Sequence, residues 1–164
     1  MTTDIKIETG IGKLLAARKL TLAVAESCTG GLLGHRITSV SGSSRYFLGG
    51  SIAYSNKIKI SHLGVKKLVL TRCGAVSCDV AGQMAIGVRK RMDSDIGISI
   101  TGIAGPDGGS KKKPVGLVFI AVAYGKACLV RRFMFKGNRL AIKTAASQAA
   151  LRMLSDFLAM PSRK

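Results

Sequence analysis

Short apolar runs alternate with amphipathic stretches along the chain, and this alternation limits the possible fold more than any other feature. Leu20 to Ala25, Phe47 to Tyr54 and Ile96 to Ile103 have the length and apolarity of buried strands. The Gly49-Gly50 pair inside the second run predicts a bulge or a close backbone approach. Helical segments lie between the runs. Lys13 to Lys19 closes a short helix, and Gly30-Gly31-Leu32-Leu33 opens another that ends near the turn cluster Ser41-Gly42-Ser43-Ser44. Asn56 is the expected cap of a short helix ending at Gly64, and Ser77 or Asp79 caps one running to about Met92. Val115 to Tyr124 and Leu129 to Phe135 flank Gly125-Lys126, which predicts an antiparallel hairpin. Asn138 then caps a last helix, with Ile142, Ala145, Ala149, Ala150, Met153 and Phe157 as its apolar stripe. Helices alternating with strands, followed by a hairpin, predict an α/β fold: a single three-layer α/β/α domain with a mixed sheet, spanning 1–164.

Charge narrows the functional classes. The chain has 26 Lys+Arg against 8 Asp+Glu, a formal net charge of +18, which raises nucleic acid or an anionic membrane surface as partners. The cations come in short runs, such as Lys66-Lys67, Arg89-Lys90-Arg91, Lys111-Lys112-Lys113 and Arg131-Arg132, unlike the long block of a disordered basic arm. There is no Trp, and most Phe and Tyr fall in apolar runs, so no stacking platform for a single strand is visible. A generally basic surface is the expectation, with non-specific polyanion binding at low salt. No segment approaches the ~20 apolar residues of a membrane span. The opening MTTDIKIETG lacks the layout of a secretory signal. Cys28, Cys73, Cys78 and Cys128 form no CxxC pair, so zinc is not expected, and the thiols are expected reduced in a cytoplasmic setting.

Chemistry concentrates at two glycine-rich turns. The first, Glu26-Ser27-Cys28-Thr29-Gly30-Gly31, follows a strand and opens a helix. Its glycines admit a close ligand, and the free N–H groups at the helix start suit a phosphate or an oxyanion. A plain strand-to-helix turn capped by Ser27 or Thr29 is the competing reading of the same residues. Cys28 is one candidate nucleophile and Ser27 another. The two histidines, His35 and His62, lie on helices as structural or surface residues, so a base for Ser27 falls to a lysine, Lys57 or Lys59. Such a lysine must be partly desolvated to be neutral near neutral pH. The second turn, Thr101 to Gly109, matches neither a P-loop nor a dinucleotide fingerprint, and its length favours a binding loop. Two such turns at strand ends imply a cleft at the sheet edge.

These residues resemble the CinA carboxy-terminal domain family. The resemblance rests on Ala25-Glu26-Ser27-Cys28-Thr29-Gly30-Gly31, Gly42-Ser43-Ser44 before Tyr46-Phe47, Tyr54-Ser55-Asn56 with Lys59, Gly74-Ala75-Val76-Ser77, Gly102 to Gly109, and Lys113-Pro114-Val115-Gly116. It covers about Lys13 to Phe157. Cys78, before Asp79, stands where the family commonly has an acidic residue.

The resemblance implies hydrolysis of nicotinamide mononucleotide to nicotinate mononucleotide and ammonia, a step of pyridine-nucleotide salvage. It implies Ser27 as nucleophile and Lys59 as base. Glu26, Thr29, Gly30, Gly31, Ser44, Tyr54, Thr101, Gly102, Ala104, Gly105 and Arg139 are then expected at the substrate, with no metal and no cofactor. The expected partner is a small-molecule nucleotide, with backbone N–H groups around Thr29, Gly30 and Gly31 holding the oxyanion. An apolar helix near the carboxy terminus points to a homo-oligomer, a dimer or larger. The rival reading is a non-catalytic nucleotide- or nucleic-acid-binding module.

Overall fold

The computed structural model describes residues 6–160; the first five residues of the opening segment read above lie outside them. In chain order the elements are α1 (Lys6–Arg18), β1 (Leu22–Glu26), α2 (Leu32–Thr38), β2 (Phe47–Ile52), α3 (Asn56–Leu63), α4 (Lys67–Cys73), α5 (Cys78–Arg91), β3 (Ile96–Gly102), β4 (Leu117–Tyr124), β5 (Ala127–Met134) and α6 (Arg139–Ala159). The strands form one sheet in the order β2-β1-β3-β4-β5. Strands β2, β1 and β3 are parallel, while β4 and β5 run antiparallel to their neighbours. The mixed α/β sheet expected from the alternation is present, with helices on both faces.

Strand alternation sorts the two faces by size. Leu22 and Val24, Ile96, Ile98 and Ile100, and Val118, Ile120 and Val122 point into the larger core with α1 and α6. The opposite face carries Ala23 and Ala25, Gly97 and Ser99, and Ala121 and Ala123. Small side chains let α5 settle close to the sheet. Ser99 Oγ donates to the Ala81 carbonyl at 2.6 Å, and a Cβ on Gly97 would stand 2.1 Å from the Ala85 carbonyl oxygen.

Several local expectations shift. The pairing of β2 with β1 slips between Leu22 and Ala23, which are opposite Phe47 and Gly49. Gly50 meets the predicted close approach, since a Cβ there would be 2.7 Å from the Val24 carbonyl. Ser55, not Asn56, caps α3, because its side chain accepts from the Ile58 N–H. Helix α4, unassigned from the sequence, lies between the Gly64 turn and Gly74. On α6, Ile142, Ala150 and Met153 of the expected stripe are buried together with Ala146, Ser147, Leu151, Leu154 and Leu158, while Ala145, Ala149 and Phe157 are half-buried. No helix among the described residues is long and apolar enough to cross a membrane.

Candidate active site

The carboxyl ends of β1, β2 and β3 open side by side, because these three strands are parallel. Backbone bonds just past the sheet hold the ends in register: Ser27 N–H donates to the Ile100 carbonyl at 3.0 Å and Ala53 N–H to the Glu26 carbonyl at 2.8 Å. A cleft of about 250 Å³ lies over these ends. It stands where the chain passes from β2 back across β1 to β3, a switch in strand order that opens a crevice in α/β sheets.

Ser27 and Lys59 meet at its floor. Lys59 Nζ is 3.0 Å from Ser27 Oγ and donates to the carbonyls of Ala53, at 2.7 Å, and Tyr54, at 3.3 Å. The Ser55 cap starts α3 immediately after β2, so the first turn of the helix aims Lys59 back over the strand end. Lys59 is 1% exposed and Ser27 8%. Burial pushes the Lys59 ammonium below its ordinary 10.5, as withdrawal from water disfavours the charged form. With two N–H bonds given to carbonyls, the neutral amine has its lone pair left for the Ser27 hydroxyl proton. Lys57, the other candidate base, is not in the cleft wall.

Cys28 also lines the cleft, but burial raises its thiol to about 11. A thiol that high is neutral at physiological pH and a poor nucleophile. His35 and His62 are exposed on α2 and α3, as the sequence implied.

The other walls come from the second turn and α6. Tyr54, Thr101, Gly102, Ala104, Gly105 and Arg139 all line the cleft. Thr101 Oγ1 donates to the Ala75 carbonyl at 2.9 Å, fixing the segment before α5. Arg139, the first residue of α6, donates to the Gly105 carbonyl and to the Tyr54 hydroxyl, both at 2.8 Å. Its guanidinium therefore ties three chain segments together at the cleft mouth. Asn56, Ala75, Val76, Ile103, Asp107 and Gly108 complete the lining. Their signal in the sequence was position within the quoted motifs, since none of these residue types announces chemistry by itself.

Five expected substrate residues stand elsewhere. The Glu26 carboxylate is 1% exposed and accepts the N–H groups of Gly31, Leu33 and Gly34 at 2.8–3.1 Å. It caps α2 from within and leaves that helix start no open anion site. Gly31 thereby gives its N–H to Glu26, and Gly30 gives its own to the Ser27 carbonyl at 3.1 Å, so neither is open to an oxyanion. The two glycines serve the turn itself, with φ of 61° and 98°. Thr29 is wholly buried beside Ser27. Among the described residues, no oxygen acceptor takes the main-chain N–H of Cys28 or Thr29. Ser44 lies in a 3₁₀ turn (Ser43–Arg45) that enters β2, a whole strand away from the cleft. Gly42, with φ of 79°, opens that turn.

Comparison with known proteins places this geometry in a family. A relative from Syntrophus aciditrophicus, a CinA-like protein, is 50% identical over 160 residues, which are 97% of this chain and 38% of that protein. A CinA-like protein of Geobacter sulfurreducens is 49% identical over 148 residues, 90% of this chain and 36% of the relative. The chain thus spans little more than a third of the curated relatives it matches. Among solved structures, the competence/damage inducible protein CihA of Agrobacterium tumefaciens superposes with a TM-score of 0.93 at 37% identity, covering 98% of each chain. A CinA superfamily protein of Klebsiella pneumoniae gives 0.92 at 30% identity, covering 96% of this chain and 99% of its own. The family model of the CinA C-terminal domain matches residues 4–158, and with relatives at this identity the chain belongs to that family.

Proposed function

We propose that the protein hydrolyses the carboxamide of nicotinamide mononucleotide to nicotinate mononucleotide and ammonia, with Ser27 as nucleophile and Lys59 as base. The observation that carries this reading is the buried lysine amine 3.0 Å from a serine hydroxyl, with no carboxylate or histidine between them. A Ser–Lys pair suits acyl transfer from an amide, because a desolvated amine takes the hydroxyl proton directly. Lys59 removes the Ser27 proton as Oγ attacks the carboxamide carbon. The main-chain N–H of Cys28, a cleft-wall residue, is the donor assigned to the developing oxyanion. Loss of one such donor costs about 2.7–4 kcal/mol in comparable sites. The proton then passes from Lys59 to the departing ammonia. Water, deprotonated by the same amine, cleaves the acyl-enzyme and restores Ser27. Arg139 is the cation at the cleft mouth for the 5′-phosphate. No step calls on a metal.

Chromatography of nicotinamide mononucleotide incubated with the pure protein tests the reading. Appearance of nicotinate mononucleotide is expected. Tight binding with the nucleotide recovered unchanged would leave a non-catalytic nucleotide-binding module instead, and duplex DNA retained at physiological salt would favour the nucleic-acid alternative.

A further inference from the structure

A second concavity, of about 360 Å³, lies between edge strand β5 and α6, away from Ser27. Helix α6 follows β5 after a four-residue turn and runs back along it, so the groove has two chemically different ends. Tyr124, at the hairpin end of the sheet, packs on Phe157 late in α6, as this antiparallel course requires. Toward the start of α6 the walls are apolar, with Phe133 from β5, Phe135 just past it, and Ala145 and Ala149 from α6; Met153 adds apolar surface farther along α6. The two phenyl rings stand parallel with centroids 5.5 Å apart and remain half-buried. Arg131, Arg152 and Asp156 line the other end. No ion pair engages either arginine among the described residues, where Arg36 with Glu8 is the pair observed.

Between the ends sits Gln148, and it is braced. Arg36, 7% exposed, is held by Glu8 at 2.7 Å and donates to the Gln148 carbonyl oxygen at 2.5 Å. A guanidinium has only donors, so it fixes which end of the amide turns inward, and the Gln148 NH₂ is left to the groove.

We propose that this groove binds a small amphipathic anion: a ring against Phe133, Phe135 and Met153, a phosphate or carboxylate head between Arg131 and Arg152, and an acceptor on Gln148. Two arginines in one groove wall, neither in an ion pair among the described residues, suit a planar or tetrahedral oxyanion, and ligand clefts combine a mainly apolar lining with a few polar groups. A second copy of the chain fits poorly. Pairing two β5 edges would bring together two sets of Lys126, Arg131, Arg132 and Lys136 in a protein of net charge +18.

Backbone amide NMR of the whole protein tests the proposal, with phenyl phosphate and benzoate as probes. Either probe should shift the amides of 131–135 and 145–156, and the tighter of the two identifies the head group. Phenol alone and inorganic phosphate alone should leave them in place at the same concentration. Arg152→Glu, at an exposed position, should weaken the probe by about tenfold or more with the spectrum otherwise intact, and Arg131→Glu should do the same. Unmoved amides at millimolar probe, equal shifts from phosphate alone, or binding indifferent to both substitutions would overturn it. So would self-association that broadens these amides and blocks the probe.

Discussion

A lysine ammonium leaves water only at a cost, and among the described residues Lys59 is the only lysine fully buried. Its lowered pKa sets two expectations of definite sign. Activity should fall as pH drops through the lowered Lys59 value, since protonation removes the base; a kcat/KM profile against pH, repeated at two salt concentrations, checks this. Stability carries the second. Between the folded value and 10.5 the unfolded chain binds a proton that the folded protein does not, so the burden of Lys59 shrinks as pH rises. Urea unfolding should therefore show the wild type gaining on Lys59→Met as pH climbs toward 10.5. A stability difference that stays constant, or that moves against the wild type as pH rises, would contradict burial of the amine. Cys28, neutral until about pH 11, should be dispensable as a nucleophile: Cys28→Ala should keep turnover within about tenfold of wild type. At this scale the sequence yielded Ser27 from its turn, but the residues left Lys57 and Lys59 level. Only the start of α3 at the Ser55 cap decides which of the two points inward.

Helix α2 depends on a residue that precedes it. Glu26 satisfies three main-chain donors at the helix start, a task usually given to the residue directly before the first turn. Glu26→Gln keeps the shape but cannot serve all three, and a loss of about 1–3 kcal/mol is expected in chemical denaturation. Helix α5 depends on absent side chains. Gly97→Ala would drive a methyl into the Ala85 carbonyl, and thermal unfolding should show a loss of about 1–3 kcal/mol. The alternation of the sequence located the strands well because the inner strands β1, β3 and β4 are buried almost throughout, although the edge strands β2 and β5 are not. Helix ends were less legible. Asn56 and Ser55 are both good caps, and the choice between them lies in where β2 lets go of the sheet. Helix α4 has seven residues, too few for a periodicity to show. Of the apolar stripe read on α6, Ile142, Ala150 and Met153 are buried in the protein's own core, while Ala145, Ala149 and Phe157 are half-buried.

At the scale of the molecule, +18 is met by one ion pair among the described residues, Arg36 with Glu8. The remaining cations repel one another, so raising salt from low to physiological strength, where the screening length is about 8 Å, should raise Tm in calorimetry. In the proposed reaction the same charge favours approach of an anionic nucleotide to a cleft whose wall carries Arg139. Charge was the loudest feature of the composition but says little about the fold, whereas Glu26, one of few acids, proves to be a helix cap beside Ser27. Ser27 and Lys59 are proposed as the reacting pair of an amidase. Ammonia release from nicotinamide mononucleotide, compared between wild type and folded Ser27→Ala and Lys59→Met proteins, tests it most directly. Steady release by the wild type and a loss of roughly a thousandfold or more in both variants is the predicted result; no release by the wild type, or undiminished release by Ser27→Ala, would contradict it.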